Sequence, residues 1–327
     1  MTWLLGIDGG GTRTRALIVN PDGVILGRGE AGSSNYHAVG LPAAADALAG
    51  ALQEALAGAR VKERPSGAFF GLAGVRTAAD HQAVREILTG LPWPEPPAAL
   101  ALDHDLRSAL AGGCANGPGV VVVAGTGSAA YGRDRLEHTA QAGGWGWVLD
   151  DLGSGYWIAV QGLRSVVEAA DGRGQPTRLE PALLAELSVT SARDAMLWAQ
   201  SASTTRAQLA SLASVVLATA EDDPVAAAIL AEGARQLGRL VTAVMSRLDF
   251  STEQSVRVVP AGGALSHPRY QAAFAAELAR VSQRCSLVVH PGAPILGAVF
   301  LAGEVAGRPL SEAARQRLAD GWSASKI

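Results

Sequence analysis

The order of strand and helix signals along this 327-residue chain occurs twice, and that repetition constrains the fold more than any single motif. Strand-like apolar segments open the chain at residues 4–7, 14–19 and 24–29. The second and third are joined by Asn20-Pro21-Asp22-Gly23, residue types that favour a tight turn. An Ala/Leu-rich stretch at 42–57 carries apolar residues at helical spacing, followed by a strand at 68–72 and a helix around 80–88. Pro92-Trp93-Pro94-Glu95-Pro96-Pro97 is too rich in proline for regular structure and reads as a loop. A strand at 98–102 then feeds a helix beginning near Asp105.

From residue 120 the order starts again. A buried-type strand at 120–124 turns into Ala129-Ala130-Tyr131, and a long helical region covers 155–248, broken around Gly172-Arg173-Gly174-Gln175-Pro176. Strand 256–259, helix 268–281, strand 287–289 and helix 295–302 complete the second copy. Such alternation calls for mixed sheets covered on both faces, and two facing domains leave a cleft suited to a small ligand. The run from Gly112 to Gly119 has linker composition. It sets the expected domains: an N-terminal lobe over 1–113, a C-terminal lobe with inserted helices over 118–305, and a C-terminal helix at 306–327 packing back on the N-terminal lobe.

Hydrophobic residues make up 48% of the chain, enough for two buried cores. A formal net charge of -3 gives no electrostatic reason to expect nucleic acid or an anionic membrane as partner. The two cysteines, Cys114 and Cys285, lie far apart without Cys-x-x-Cys spacing, which excludes a disulfide framework and a structural zinc site. Asp8 interrupts the apolar N-terminal stretch that a signal peptide requires, and no apolar run reaches the roughly 20 residues of a membrane span. The expected location is the cytoplasm.

Asp8-Gly9-Gly10-Gly11-Thr12 lies between two strands. A dinucleotide-binding loop or a P-loop would need a helix after its glycines, and the P-loop lysine is absent. Glycines in a hairpin can instead bring backbone N–H groups to a phosphate chain, with Asp8 holding Mg²⁺ through water. The simpler alternative is a plain turn capped by Asp8. Gly125-Thr126-Gly127-Ser128 occupies the corresponding hairpin of the second copy, so the two together are suited to clamping a polyphosphate. Asp105 reads either as a helix N-cap, with Ser108 at the third position, or as a general base for a sugar hydroxyl, and Asp103 competes with it. Gly143-Gly144-Trp145-Gly146-Trp147, followed by Asp150-Asp151-Leu152-Gly153-Ser154, suits a sugar site of stacked rings and a carboxylate. The alternative for this segment is structural, with Asp151 capping the following helix and the tryptophans as core anchors. Asn35 fits a sugar hydroxyl or a turn, and Gly262-Gly263 fits a backbone lying flat against adenine or ribose, or a bend into the next helix.

These pieces, with Ser34-Asn35 and Pro294-Ile295-Leu296-Gly297-Ala298, resemble in order and over nearly the whole chain the N-acetylglucosamine kinase family. They are similar also to the related 2-hydroxyacyl-CoA dehydratase activator ATPases, within the hexokinase–actin–heat-shock ATPase superfold. The resemblance implies an α/β protein of two actin-like (ribonuclease H-like) domains, each a mixed five-stranded sheet, flanking a central cleft. It implies Asp105 as catalytic base, with Asn35, Gly144, Trp145 and Asp151 around the sugar. It places Asp8, Gly10, Gly11, Thr12, Thr126 and Gly127 around Mg-ATP, and Gly262 and Gly263 near the adenosine. The implied activity is phosphorylation of a sugar, N-acetylglucosamine first, glucosamine or another hexose next, by a homodimer. The dehydratase-activator type of ATPase is the rival reading. The chain departs from the family's Gly-Asp-Glu-Gly-Ser at Asp150-Asp151-Leu152-Gly153-Ser154, which bears on the identity of the sugar.

Overall fold

The computed structural model describes residues 2–251, 253–289 and 292–324. In chain order the elements are β1 Leu4–Gly9, β2 Thr14–Val19, β3 Ile25–Ala31, α1 Tyr36–Val39, α2 Leu41–Ala59, β4 Gly67–Leu72, α3 Ala78–Thr89, β5 Leu100–Asp103 and α4 Asp105–Cys114. There follow β6 Gly119–Ala124, β7 Ser128–Arg133, β8 Thr139–Gly143, α5 Gly155–Ala170, α6 Leu179–Glu186, α7 Ala192–Ala199, α8 Arg206–Ser211, α9 Ala213–Thr219 and α10 Pro224–Met245. The chain ends with β9 Val256–Ala261, α11 Pro268–Val281, β10 Cys285–Leu287, α12 Pro294–Val305 and α13 Glu312–Ser323. No helix among the described residues is long and apolar enough to cross a membrane.

Two compact units result, residues 1–117 with 290–327, and residues 118–289. The first unit holds a five-stranded sheet in the order β3-β2-β1-β4-β5. β1 pairs antiparallel with β2 and parallel with β4, and β4 is parallel to β5. The apolar run of β1 is buried on both faces, as expected of a central strand. Leu5 and Ile7 join Phe70 and Leu52 in one cluster, while Leu4 joins Phe69, Leu17 and Val299 in another. The second unit repeats the arrangement as β8-β7-β6-β9-β10, so the duplication seen in the order of elements is also a duplication of topology.

Three expectations change. The second lobe does not extend to residue 305, because α12 belongs to the first unit. A Cβ on Gly6 of β1 would lie 2.6 Å from the Val299 backbone nitrogen, and one on Gly297 of α12 would lie 1.9 Å from the Ser108 carbonyl oxygen. Only hydrogen at both positions lets α12 rest this closely on β1 and α4. Gly112 likewise sits in the last turn of α4 within close reach of the Ala293 carbonyl, so it serves packing rather than a linker. The last strand spans 285–287 rather than 287–289. At the C-terminus, α13 packs within the first unit: the Ala314 carbonyl lies against Gly23, and Arg28 Nη2 donates to the Gly321 carbonyl (2.8 Å). Residues 325–327 of the expected C-terminal segment lie outside the described residues.

Candidate functional site

In the first unit, three parallel strands end together, and their carboxyl edge carries the acids. Asp8 stands opposite Gly71, and Gly71 opposite Asp103, so the three positions form a row across β1, β4 and β5. The carboxyl ends of parallel strands are where open α/β sheets bind ligands. Helix α4 starts immediately beyond, and its cap is His104, whose Nδ1 accepts from the Arg107 N–H (3.3 Å). Asp105 is therefore not the N-cap, and its carboxyl is not committed to that role. Asp103 accepts from the His104 N–H (2.8 Å) and lies 3.6 Å from His104 Nε2, so it is held as a partner of that histidine.

Burial pushes the Asp105 carboxyl up to about 6, against the opposing pull of the first N–H groups of α4 and of Arg76. Asp8 is pushed up to about 7, first by burial and then by the Asp105 charge, with Arg15 acting the other way. A carboxyl group that resists ionising beside a second carboxylate, as Asp8 does beside Asp105, is a feature found at functional sites. The same repulsion suits a divalent cation. No three metal-ligating side chains converge among the described residues, so a Mg²⁺ at Asp8 would take most of its ligands from water and from substrate oxygens.

The hairpin after Asp8 is tethered at its base. Gly10 N–H donates to the Arg13 carbonyl (2.8 Å), and Ala73 N–H donates to the Gly9 carbonyl (2.7 Å). At its tip a Cβ on Gly11 would meet nothing within 4 Å, and the N–H groups of Gly11 and Thr12 have no acceptor among the described residues. Asn35 caps α1, its Oδ1 accepting from the His37 N–H (3.2 Å), and Gly74 at φ +90 lies against that same oxygen. The turn role of Asn35 is thus realised, which leaves its amide donors for a ligand.

In the second unit, the β6–β7 turn forms the second hairpin. Gly125 N–H donates to the Gly127 carbonyl (2.9 Å), and the Thr126 and Gly127 N–H groups have no acceptor among the described residues. Gly262 and Gly263 adjoin it. Gly262 at φ +90 would place a Cβ 2.5 Å from Ala124 carbonyl atoms, and the Ala264 N–H donates to the Ala124 carbonyl (3.0 Å). Asp151, in the left-handed region at φ 61, is buried beside this hairpin. Its Oδ1 accepts from the Ser128 N–H (2.9 Å) and its Oδ2 from Arg206 Nη2 (2.5 Å). The helix that follows is capped by Ser154, so Asp151 is not that cap. Asp150 accepts from the Trp145 N–H (3.2 Å). Trp145 is 74% exposed and Leu149 is 83% exposed, so the segment after Gly144 presents rings and alkyl groups outward.

Sequence reasoning missed Arg206 and the capping role of His104. Thr205 and Gln208 form a capping box that signals the start of α8, but nothing in the spacing links Arg206 to Asp151, 55 residues away.

Duplicated mixed sheets with an acid at a strand end and paired glycine hairpins define a class of nucleotide-using phosphotransfer proteins. Residues 5–302 match the BadF/BadG/BcrA/BcrD ATPase family, and the chain belongs to it. It is 31% identical over 272 residues to the N-acetylmuramic acid/N-acetylglucosamine kinase of Clostridium acetobutylicum, covering 83% of this chain and 88% of that one. It is 32% identical over 270 residues to the N-acetyl-D-glucosamine kinase of Dictyostelium discoideum, covering 79% and 84%. A solved structure from Chromobacterium violaceum, provisionally assigned as an N-acetylglucosamine kinase, superposes with a TM-score of 0.71 at 29% identity, covering 92% of this chain and 98% of that one.

Proposed function

We propose that the chain is an ATP-dependent amino-sugar kinase that transfers the γ-phosphoryl of Mg-ATP to the O6 hydroxyl of N-acetylglucosamine. The observation that carries the reading is Asp105, a half-buried carboxyl freed from capping and pushed up to about 6 beside Asp8. A base titrating near neutrality takes the hydroxyl proton as the sugar oxygen bonds to the γ-phosphorus and ADP departs. Backbone N–H groups at Gly10, Gly11, Thr12, Thr126 and Gly127 serve the phosphates, and Gly262 and Gly263 the adenosine. A Mg²⁺ at Asp8 would offset phosphate charge when bound. Asn35, Gly144 and Trp145 serve the sugar; Asp151 supports the reading through the second hairpin it braces.

Glucosamine and other hexoses are the competing acceptors, given Asp150 and Leu152 where the family has Gly and Glu. Coupled-assay turnover with Mg-ATP against N-acetylglucosamine, glucosamine, glucose and N-acetylmannosamine decides among them. A strong preference for N-acetylglucosamine supports the reading; no sugar-stimulated ADP release sinks it. The activator-ATPase alternative needs cysteines that bind a cluster between subunits. Cys114 is buried at the end of α4, and Cys285 lies in β10 beside Met245, so that reading is not favoured. We place the activity in the cytoplasm on two cysteines that lie far apart in the sequence without Cys-x-x-Cys spacing, and in a homodimer on the family resemblance; light scattering tests the latter.

A further inference from the structure

Arg206 has no part in the motifs above, yet it reaches the centre of the second hairpin. It is the first residue of α8, a helix inserted between the strands of the second unit. Its Nη2 donates to Asp151 Oδ2 (2.5 Å) and to the Thr126 carbonyl (3.2 Å), and its guanidinium lies 5.9 Å over the Tyr156 ring. The other oxygen of Asp151 accepts from the Ser128 N–H. The carboxylate and the guanidinium thus hold both ends of the turn, at Thr126 and at Ser128. Gly127 is pinned beneath them, since a Cβ there would lie 2.7 Å from Asp151 Oδ1 and 2.8 Å from Arg206 Nη2. The fork is not placed to maximise its own bonding, because its Nε–H is buried without an acceptor among the described residues.

We propose that Arg206 is a positioning residue for the nucleotide: with Asp151 it fixes the Gly125–Ser128 turn so that the Thr126 and Gly127 N–H groups stay directed at phosphate. The inference rests on the reading of that turn as a phosphate cradle, and it extends the site into the helical insertion. The carbonyl of Thr126 has to be held back for the neighbouring N–H groups to face an anion, and the guanidinium supplies that hold. A rigid cradle loses little freedom on binding, so its release appears as weaker nucleotide affinity and not as slower phosphoryl transfer.

The test is calorimetric binding of Mg-ADP without sugar to Arg206→Met, Arg206→Lys and Arg206→Met/Asp151→Asn, with KM and kcat measured alongside. Losing only the arginine leaves Asp151 as an uncompensated buried charge, so the double variant, which removes both charges, keeps the test open if the single one unfolds. Nucleotide Kd and KM should rise tenfold or more in Arg206→Met and in the double variant. In Arg206→Met, kcat and sugar KM should change less than threefold, and lysine should recover part of the loss. A nucleotide Kd within twofold of wild type in both folded variants would overturn the proposal, as would a fall in kcat that merely follows the fraction of folded protein. Because Mg-ADP binding needs no acceptor, these outcomes stand apart from any failure of the sugar-kinase reading, which would show as wild-type protein inactive on every sugar.

Discussion

Replacing Asp105 by asparagine should abolish phosphoryl transfer and, above neutral pH, make the protein more stable. Burial moves this carboxyl from its ordinary 3.8 to about 6. At about 1.36 kcal/mol per pKa unit, a displacement of that size corresponds to about 3 kcal/mol. The sign follows from where the proton is bound more tightly. Below pH 3.8 both folded and unfolded chains hold it, and the group contributes nothing. As pH rises, the unfolded chain ionises first, so the folded state loses stability by about 1 to 2 kcal/mol at pH 5 and about 3 kcal/mol at pH 8. Asparagine has no proton to lose, and its side-chain oxygen can still accept from the first N–H groups of α4. The variant should therefore gain about 3 kcal/mol over wild type at pH 8 and about half that at pH 5.

Urea unfolding at the two pH values, with activity measured on the same samples, reads both effects. Turnover should fall by roughly 10² to 10⁴ if the carboxylate is the base. A stability difference that is negative, or the same at both pH values, would refute the buried-acid argument even if activity were lost. Full activity in a stabilised variant would refute the catalytic one.

kcat/KM should rise as pH passes from 5 to 8 and level off above, because Asp105 and Asp8 must both ionise, with raised values of about 6 and about 7; a flat profile from pH 5 to 8 removes the carboxyl pair from the chemistry. Trp145→Ala, at a residue 74% exposed, should leave stability within about 0.5 kcal/mol yet raise sugar KM about tenfold, measured by unfolding and steady-state kinetics. Gly297→Ala drives a methyl to 1.9 Å from the Ser108 carbonyl and should cost about 3 kcal/mol of stability in urea titrations, since α12 cannot lift from α4 without losing its core contacts. Chelating divalent cations with EDTA should weaken ADP binding itself, and Asp8→Asn should lessen that dependence in calorimetry, because fewer negative charges would then oppose the phosphates.

Much of this was legible because central strands announce themselves. Leu4 to Ile7 and Val120 to Val122 are buried on both faces, so they appear as unbroken apolar runs, and the glycine hairpins between strands stand out against them. Strand β8 gave no such signal: Thr139-Ala-Gln-Ala-Gly is an edge strand of small residues, exposed or half-buried, with little to pack. The assignment of α12 failed for a different reason. Its pattern says that it is buried, but not on which sheet, and the deciding features were single glycines whose partners lie about 190 to 290 residues away in the chain. At the site, Asp8 and Asp105 could be named from their places after strands. That Asp105 is spared from capping could not, because histidine is not among the favoured caps and only the fold brings the His104 ring onto Arg107.

The duplicated topology has been charged unequally. The fifth position of β1 is Asp8, and the fifth of β6 is Val123, so the second hairpin follows an apolar strand end. Its nearby acid, Asp151, is offset by Arg206, which leaves the Thr126 and Gly127 N–H groups as the free polar surface. The first unit has the opposite balance, two half-buried carboxyl groups raised toward neutrality by loss of water and, for Asp8, by its neighbour. An anion is welcome at the second hairpin by itself, but at the first only in company with a cation. Under the proposed function, the uncompensated acids of the first cradle take the metal and proton chemistry, and the second cradle, whose acid is compensated by arginine, takes anion binding. That division explains why the candidate base occurs once in a fold whose framework occurs twice.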